Sequence, residues 1–303
     1  MLVPFLAAPS PDYDALKTRL DRICAPFRGR IGYCVRDLRT GRTIDRLGDE
    51  RFPTASTIKT AIAVHVMREI DAGRLKWTDT REVPPAAKRG ENDVSEWSYY
   101  LKDGLKLNVD GWTNLMIVYS DNLATRVLRE WLGSVNVNKS LAALGFTETL
   151  SLSSVPASET RLRKINGQFG MGVTTPKEMA RLMALIAERK AASAAGSERL
   201  LRMLGHQYWD DWIGSTVPPE VRVCSKSGAI SRSRSDTAIV WAKRPYVLTI
   251  YTDSQKDRRW TDENEGDRSL VRISTEVWNA LGDRPYVPPP GARNFLPTGA
   301  GIE

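Results

Sequence analysis

Ser56 and Lys59 stand three residues apart, where an extended, proline-marked segment, Arg51-Phe52-Pro53-Thr54, gives way to apolar residues at helical spacing. On a helix such a pair shares one face, about 5–6 Å apart at Cβ, so the amine can reach the hydroxyl. A serine becomes a nucleophile when a neighbour takes its proton, and lysine can do so when burial or nearby cations lower its pKa. The start of a helix adds partial positive charge and free N–H groups, which suit a developing oxyanion. This spacing alone is common in a chain of 303 residues. Two further groups accompany it: Ser120-Asp121-Asn122, at a junction between two helical runs, and Lys226-Ser227-Gly228, at the end of a predicted strand. Each alone reads as a helix start, a cap or a turn. Together, in this order and each at a junction between elements, they are hard to obtain by accident.

Composition narrows the chemistry. With 41% hydrophobic and 26% charged residues the chain reads as a soluble globular protein, long enough for one large or two interlocked domains. The net charge of +8 comes from 44 Lys and Arg scattered among 36 acidic residues. Without a zinc-finger or RNA-binding signature this is a solvated basic surface, compatible with long-range attraction of anionic substrates, and no nucleic-acid partner is expected. Only two histidines exist, His65 and His206, so a Ser-His-Asp triad is disfavoured and a Ser-Lys mechanism is untouched. Cys24, Cys34 and Cys224 lack metal-ligand spacing and read as buried small residues with one optional disulfide; no metal or cofactor is implied. No run approaches the ~20 apolar residues of a membrane span. The segment from Leu2 to Ala8 is short and lacks a basic flank, so it is not a complete signal peptide.

The elements that must position these residues follow from periodicity. Tyr13, Leu16, Leu20 and Cys24 repeat at helical spacing after Asp12, a candidate N-cap. Residues 30–36 and 43–45 flank a turn and make a strand pair. From Ser56 a buried central helix runs to Gly73, with His65 read as a packed core residue. Pro84 to Asn92 is loop-like, and Trp97, Tyr99 and Tyr100 after it either line a pocket or cap a core. Helices are expected over 109–119, from Leu123 to Gly133, and over 139–144. Residues 151–172 read as a long irregular loop, of the kind that is often functional. Thr174-Thr175-Pro176 opens a further helix, 197–212 another, then come three strands at 221–225, 237–241 and 246–251 and a closing helix at 270–281. The economical arrangement is α+β: an antiparallel sheet built from both ends of the chain, residues 10–53 and 214–283, with an all-helical block, 54–213, inserted between them. Residues 284–303, with Pro288-Pro289-Pro290, read as a disordered tail.

The trio of motifs, together with Arg51-Phe52-Pro53, Ile70-Asp71-Ala72-Gly73, Thr174-Thr175-Pro176 and Lys226-Ser227-Gly228-Ala229, resembles the class A serine β-lactamases from about Tyr13 to Leu281. The resemblance implies a β-lactamase-like fold, a five-stranded antiparallel sheet flanked by terminal helices plus an inserted helical domain, with the site between. It implies Ser56 as nucleophile, Lys59 as proton acceptor or relay, and Ser120 as the hydroxyl passing a proton to the leaving nitrogen. Asn122 would hold the substrate's side-chain amide, Lys226 and Ser227 its carboxylate, and the N–H groups of Ser56 and Ala229 the oxyanion. Arg234, or Arg232, stands near the family's carboxylate-binding arginine, one residue out of register.

The departures lie before Thr174. Glu159 occupies the place of the glutamate that positions the deacylating water, but the asparagine expected after it is Arg163, which either pairs with Glu159 or points to solvent. The acidic residue that pins this loop in the family is replaced by Gly172-Val173, and its arginine partner by Ala157 or a neighbour. The implied protein is a monomeric serine β-lactamase-type hydrolase, periplasmic or secreted, that opens β-lactams through an acyl-serine, with either ordinary or slow deacylation. A related peptidase or esterase acting on a peptidoglycan-like substrate, or a sensor that acylates and stalls, are the other readings.

Overall fold

A computed structural model describes residues 11–85 and 97–288 of the protein. The segment Leu2 to Ala8, most of the loop from Pro84 to Asn92, and the tail beyond Pro288 lie outside the described residues. Helix α1 (Tyr13–Cys24) starts at Asp12, whose carboxylate accepts from the Asp14 and Ala15 amides. β1 (Arg30–Asp37) and β2 (Thr43–Arg46) form an antiparallel pair. β3 (Phe52–Pro53) leads through a single 3-10 turn, Ala55–Thr57, into α2 (Ile58–Asp71). β4 (Thr80–Glu82) pairs with β5 (Lys106–Asn108), and α3 (Val109–Val118), α4 (Asn122–Leu132) and α5 (Ser134–Ala143) follow. Next come β6 (Leu150–Ser151), α6 (Thr160–Phe169), β7 (Gly172–Thr174), α7 (Pro176–Ala187) and α8 (Ala194–Leu204). The chain closes with β8 (Val223–Ile230), β9 (Ser233–Val240), β10 (Tyr246–Asp253) and α9 (Glu265–Leu281).

The main sheet is five-stranded, in the order β2-β1-β10-β9-β8, and every pairing is antiparallel. Strands from both ends of the chain thus meet at β1 and β10, and α2 to α8 lie between them in sequence. Strand side chains alternate between faces, so the sheet has two cores. On one face Ile31, Tyr33, Val35, Ala238, Val240 and Leu248 pack with α1 and α9 through Leu16, Leu20, Ile273 and Trp278. On the other, Cys34, Cys224, Ile239, Val247 and Tyr251 join the helical residues, with α2 at the centre: Ile58, Ala61, Ile62, Ala63, Val64 and Met67 are all buried there.

Several boundaries differ from the sequence reading. The stretch 151–172 is not irregular throughout: it contains α6, which buries only Leu162 and Ile165 and carries polar residues elsewhere, so its period is faint. The helix expected over 197–212 starts earlier, at a Ser193 cap, and stops at Gly205. α5 begins at Ser134 and α9 at Glu265, the latter capped by Asn264. All three cysteines are buried and free, with no disulfide, and burial pushes the Cys24 and Cys34 thiols up to about 12.

Candidate active site

Ser56 sits in the 3-10 turn just before α2, behind Ala55, whose φ of 44° lies in the left-handed region. From Phe52 to Met67 Ser56 is the one residue that is not buried. β8, an edge strand of the sheet, passes directly against it. A Cβ on Gly228 would lie 2.7 Å from the Ser56 nitrogen and 2.8 Å from the Thr54 oxygen, so glycine is required for this close approach. Ser235, opposite Gly228 in the register, holds the two segments together, its Oγ 3.0 Å from both the Thr54 and Gly228 carbonyls.

Lys59 lies on the first turn of α2 and is wholly buried. Its Nζ donates to the Ser120 carbonyl, to Ser120 Oγ at 3.2 Å and to Asn122 Oδ1 at 2.8 Å. The geometry therefore joins the first motif to the second. Ser120 holds a left-handed φ of 58°, which a non-glycine residue adopts at a cost of roughly 1–3 kcal/mol. Asp121 between them is structural: it caps α4 through the Ala124 amide at 2.7 Å and takes the Ser98 hydroxyl at 2.6 Å and the Ser98 amide at 2.9 Å. Three consecutive residues thus serve three purposes, and Ser120 and Asn122 keep partial solvent access.

On β8, Lys226 pairs with Thr237 and Ser227 with Asp236. Alternation puts Lys226 on the same face as Gly228, the face turned to the Ser56 turn. Lys226 is buried, with Nζ 3.2 Å from the Ser227 carbonyl, while Ser227 and Ala229 are half-buried. Asp236 projects from the opposite face. It is buried, accepts from the Ile213 amide at 3.0 Å, and burial pushes its carboxyl up to about 7. Desolvation of its carboxyl, with the negative charge of Asp211 beside it, likewise pushes Asp210 up to about 6, and Asp210 adds to the rise at Asp236, which Lys226 opposes. Sequence reasoning missed both; an aspartate inside the apolar run of β9 was the available signal.

Arg234 is not brought to the site. It lies on the Asp236 face, 1% exposed, with Nε 2.8 Å from Asp267, Nη1 donating to the Ile230 carbonyl at 2.6 Å and Nη2 to the Arg259 carbonyl at 2.9 Å. Its guanidinium also stacks on Trp260, 4.3 Å from the ring centre. These partners anchor α9 to the sheet and leave the group committed there. Arg232 ties the turn after β8 to Asp253 at 3.2 Å and to the Gln168 carbonyl at 2.6 Å.

Glu159 is half-buried and occupies the cap position of α6 without using its carboxylate as a cap. Among the described residues it forms no ion pair with Arg163, which is exposed in the first turn of that helix. The loop is held by its own apolar cluster, Leu150, Leu152, Leu162, Ile165 and Val173, and by Asn138, which bonds both the amide and the carbonyl of Ser151. Gly172 pairs with Ser151, and its carbonyl accepts from the Thr54 amide at 3.0 Å. A Cβ there would lie 2.5 Å from Thr54 Oγ1 and 2.8 Å from Ile58, which leaves no room for an acidic side chain.

Aromatic residues border Ser120. Trp97, Tyr119 and Tyr208 sit with ring centres 5.0 to 5.8 Å apart, and Trp209 Nε1 donates to the Tyr119 carbonyl at 3.0 Å. Trp97 is 52% and Tyr100 79% exposed, so this group is not the cap of a core. Tyr208 and Trp209, far away in sequence, were not foreseen.

The chain matches the model of the β-lactamase enzyme family over residues 15–281. It belongs to that family. Among curated relatives, β-lactamase CARB-4 of Pseudomonas aeruginosa is 25% identical over 296 residues, 92% of this chain and 96% of that one. Among solved structures, the β-lactamase of Sphaerobacter thermophilus DSM 20745 superposes with a TM-score of 0.75 at 25% identity, covering 91% of this chain and all of that one. An ancestral class A β-lactamase gives 0.72 at 26% identity, covering 88% and 99%. The family likeness is class A, and the α+β fold with its five-stranded antiparallel sheet is the β-lactamase fold. Among the described residues no helix is long and apolar enough to cross a membrane.

Proposed function

We propose that the protein opens β-lactam amides through an acyl-serine and hydrolyses the resulting ester slowly. The observation that carries this reading is the bonding of Lys59, which joins the start of the nucleophile's helix to Ser120 and Asn122. Ser56 Oγ attacks the lactam carbonyl carbon and its proton passes to Lys59. The oxyanion is held by the N–H groups of Ser56 and Ala229, each such donor being worth about 2.7–4 kcal/mol where measured. The C–N bond then breaks, and the leaving nitrogen takes a proton through Ser120, which Lys59 can resupply along their 3.2 Å contact. Asn122 holds the substrate's side-chain amide, and Lys226 with Ser227 its carboxylate. A monomer in the periplasm or outside the cell suits these substrates.

Deacylation needs a water held between a carboxylate and the ester, with 2–4 polar partners. Glu159 is the base in this reading, and its carboxylate is not drawn off by Arg163. What the loop lacks is the amide beside it: Arg163 supplies only donors and a fixed charge, and is turned to solvent. Acylation therefore outruns hydrolysis, and in the limit the protein is a β-lactam sensor. Stopped-flow turnover of a chromogenic cephalosporin tests this. A burst of one equivalent precedes slow turnover in the wild type, Arg163→Asn speeds the slow phase, and Glu159→Gln slows it by roughly 10²-fold or more. Rapid turnover without a burst, unchanged in Glu159→Gln, contradicts it; turnover of a D-Ala-D-Ala peptide in preference to the cephalosporin favours a peptidase.

A further inference from the structure

A cavity of about 920 Å³ opens at the end of α2 opposite to Ser56. Arg68, on its wall, stands 12 residues beyond Ser56, roughly 18 Å along a helix, so the space is separate from the site above. Its size is within the range of small-molecule sites. Leu75, Trp131 and Leu132 form an apolar wall, and His65, Arg68 and Lys139 face it.

The charges around it are unequally used. Glu69 is held by Arg74 through two bonds of 2.8 and 2.7 Å, and Asp71 accepts from the Ser193 amide and hydroxyl, both at 2.6 Å. Glu69 is thereby paired with a cation, while the exposed Asp71 is held by neutral donors, so that the lining carries Arg68, Arg74 and Lys139 against these two carboxylates. Arg68 donates to neutral oxygens, Ser140 Oγ at 3.0 Å and the Ala191 carbonyl at 3.5 Å, and adds its charge to that of Arg74 beside Glu69. Lys139 is exposed and forms no ion pair among the described residues. The C-terminal end of α2 carries partial negative charge, which Arg68 in its last turn offsets in part.

His65 supplies an independent sign. It is 3% exposed, yet its Nδ1 has no hydrogen-bond partner, Glu69 Oε1 being 3.7 Å away. Buried polar nitrogen without a partner is costly and uncommon in a folded protein. Burial also pushes the imidazole below its ordinary pKa, against the opposing charge of Glu69.

We propose that this cavity is a second binding site, for a small organic anion with an apolar body, such as an aromatic carboxylate. The ring of the ligand lies against Trp131 and Leu132, its carboxylate between Arg68 and Lys139, and His65 at its edge. Nothing in this depends on the reaction at Ser56. A carboxylate bound there favours the protonated imidazole, so binding raises the pKa of His65.

The chain has two histidines, which makes the test direct. Benzoate is titrated into the full-length protein while the imidazole Cε1–H signals are followed by NMR across pH. The expected result is a saturable shift of His65 with a raised pKa and an unmoved His206. Lys139→Gln, at an exposed position, and Arg68→Gln each weaken binding by about tenfold, the loss of one charge-assisted contact, and benzyl alcohol binds at least as weakly as benzoate does to those variants. An unmoved His65, equal binding of benzoate and benzyl alcohol, or undiminished affinity in Lys139→Gln overturns the proposal.

Discussion

A buried amine can serve a serine only if its other bonds hold it in place, and Lys59 has three such bonds, to the Ser120 carbonyl and hydroxyl and to Asn122. The left-handed backbone of Ser120 turns both of its oxygens to the same nitrogen. This much was legible in the sequence, because a helical repeat fixes the relation of Ser56 to Lys59 and a helix junction that of Ser120 to Asn122. Arg234 was not legible in the same way. On a strand a shift of one residue exchanges the faces, and position 234 falls on the side of Asp236 and α9 rather than that of Ser235 and Ser56. The anion-binding role in our proposal consequently rests on Lys226. Lys226→Ala is expected to weaken kcat/KM for penicillins, which bear a carboxylate, by at least about tenfold more than for a neutral ester of similar size. Equal losses on the two substrates would assign Lys226 another role.

At the scale of elements, the loop from Ser151 to Gly172 departs most from the sequence reading. Leu162, Ile165 and Phe169 recur at intervals of three and four, but Arg161, Arg163, Lys164 and Gln168 dilute the pattern until it reads as loop. The missing acidic pin has a structural counterpart in Gly172, which lets β7 lie against Thr54 and Ile58. That contact ties the loop directly to the segment bearing Ser56. Gly172→Ala is expected to destabilise the fold by about 1–3 kcal/mol, since the added methyl must displace backbone-anchored neighbours. Chemical denaturation measures this, and an unchanged midpoint would show that β7 can move away without cost.

For the whole molecule, the antiparallel sheet assembled from both ends was legible because each terminal strand lies beside turn signals and each terminal helix has one apolar stripe. The buried Asp236 was not, since a sequence does not show which polar residue a fold will desolvate. Burial pushes the Asp236 carboxyl up to about 7, against an ordinary value near 3.8. Between about pH 4 and 7 the folded chain therefore retains protons that the unfolded chain has released. The contribution of this group to stability is present at the acid end of that window and is lost as pH rises through it. Asp236→Asn, neutral throughout, is expected to flatten this dependence relative to wild type in denaturation midpoints measured from pH 4.5 to 7.5. Parallel curves for the two proteins would show that Asp236 is already ionised in the folded state.

The central claim is that Ser56 takes the acyl group, and intact-protein mass spectrometry after a short and a long exposure to a penicillin tests it most directly. The account predicts one adduct of the full mass of the drug at short times in the wild type, declining slowly on longer incubation, and none in Ser56→Ala with its fold unchanged. An adduct that persists in Ser56→Ala, or a wild type that never gains mass while the drug stays intact, contradicts it.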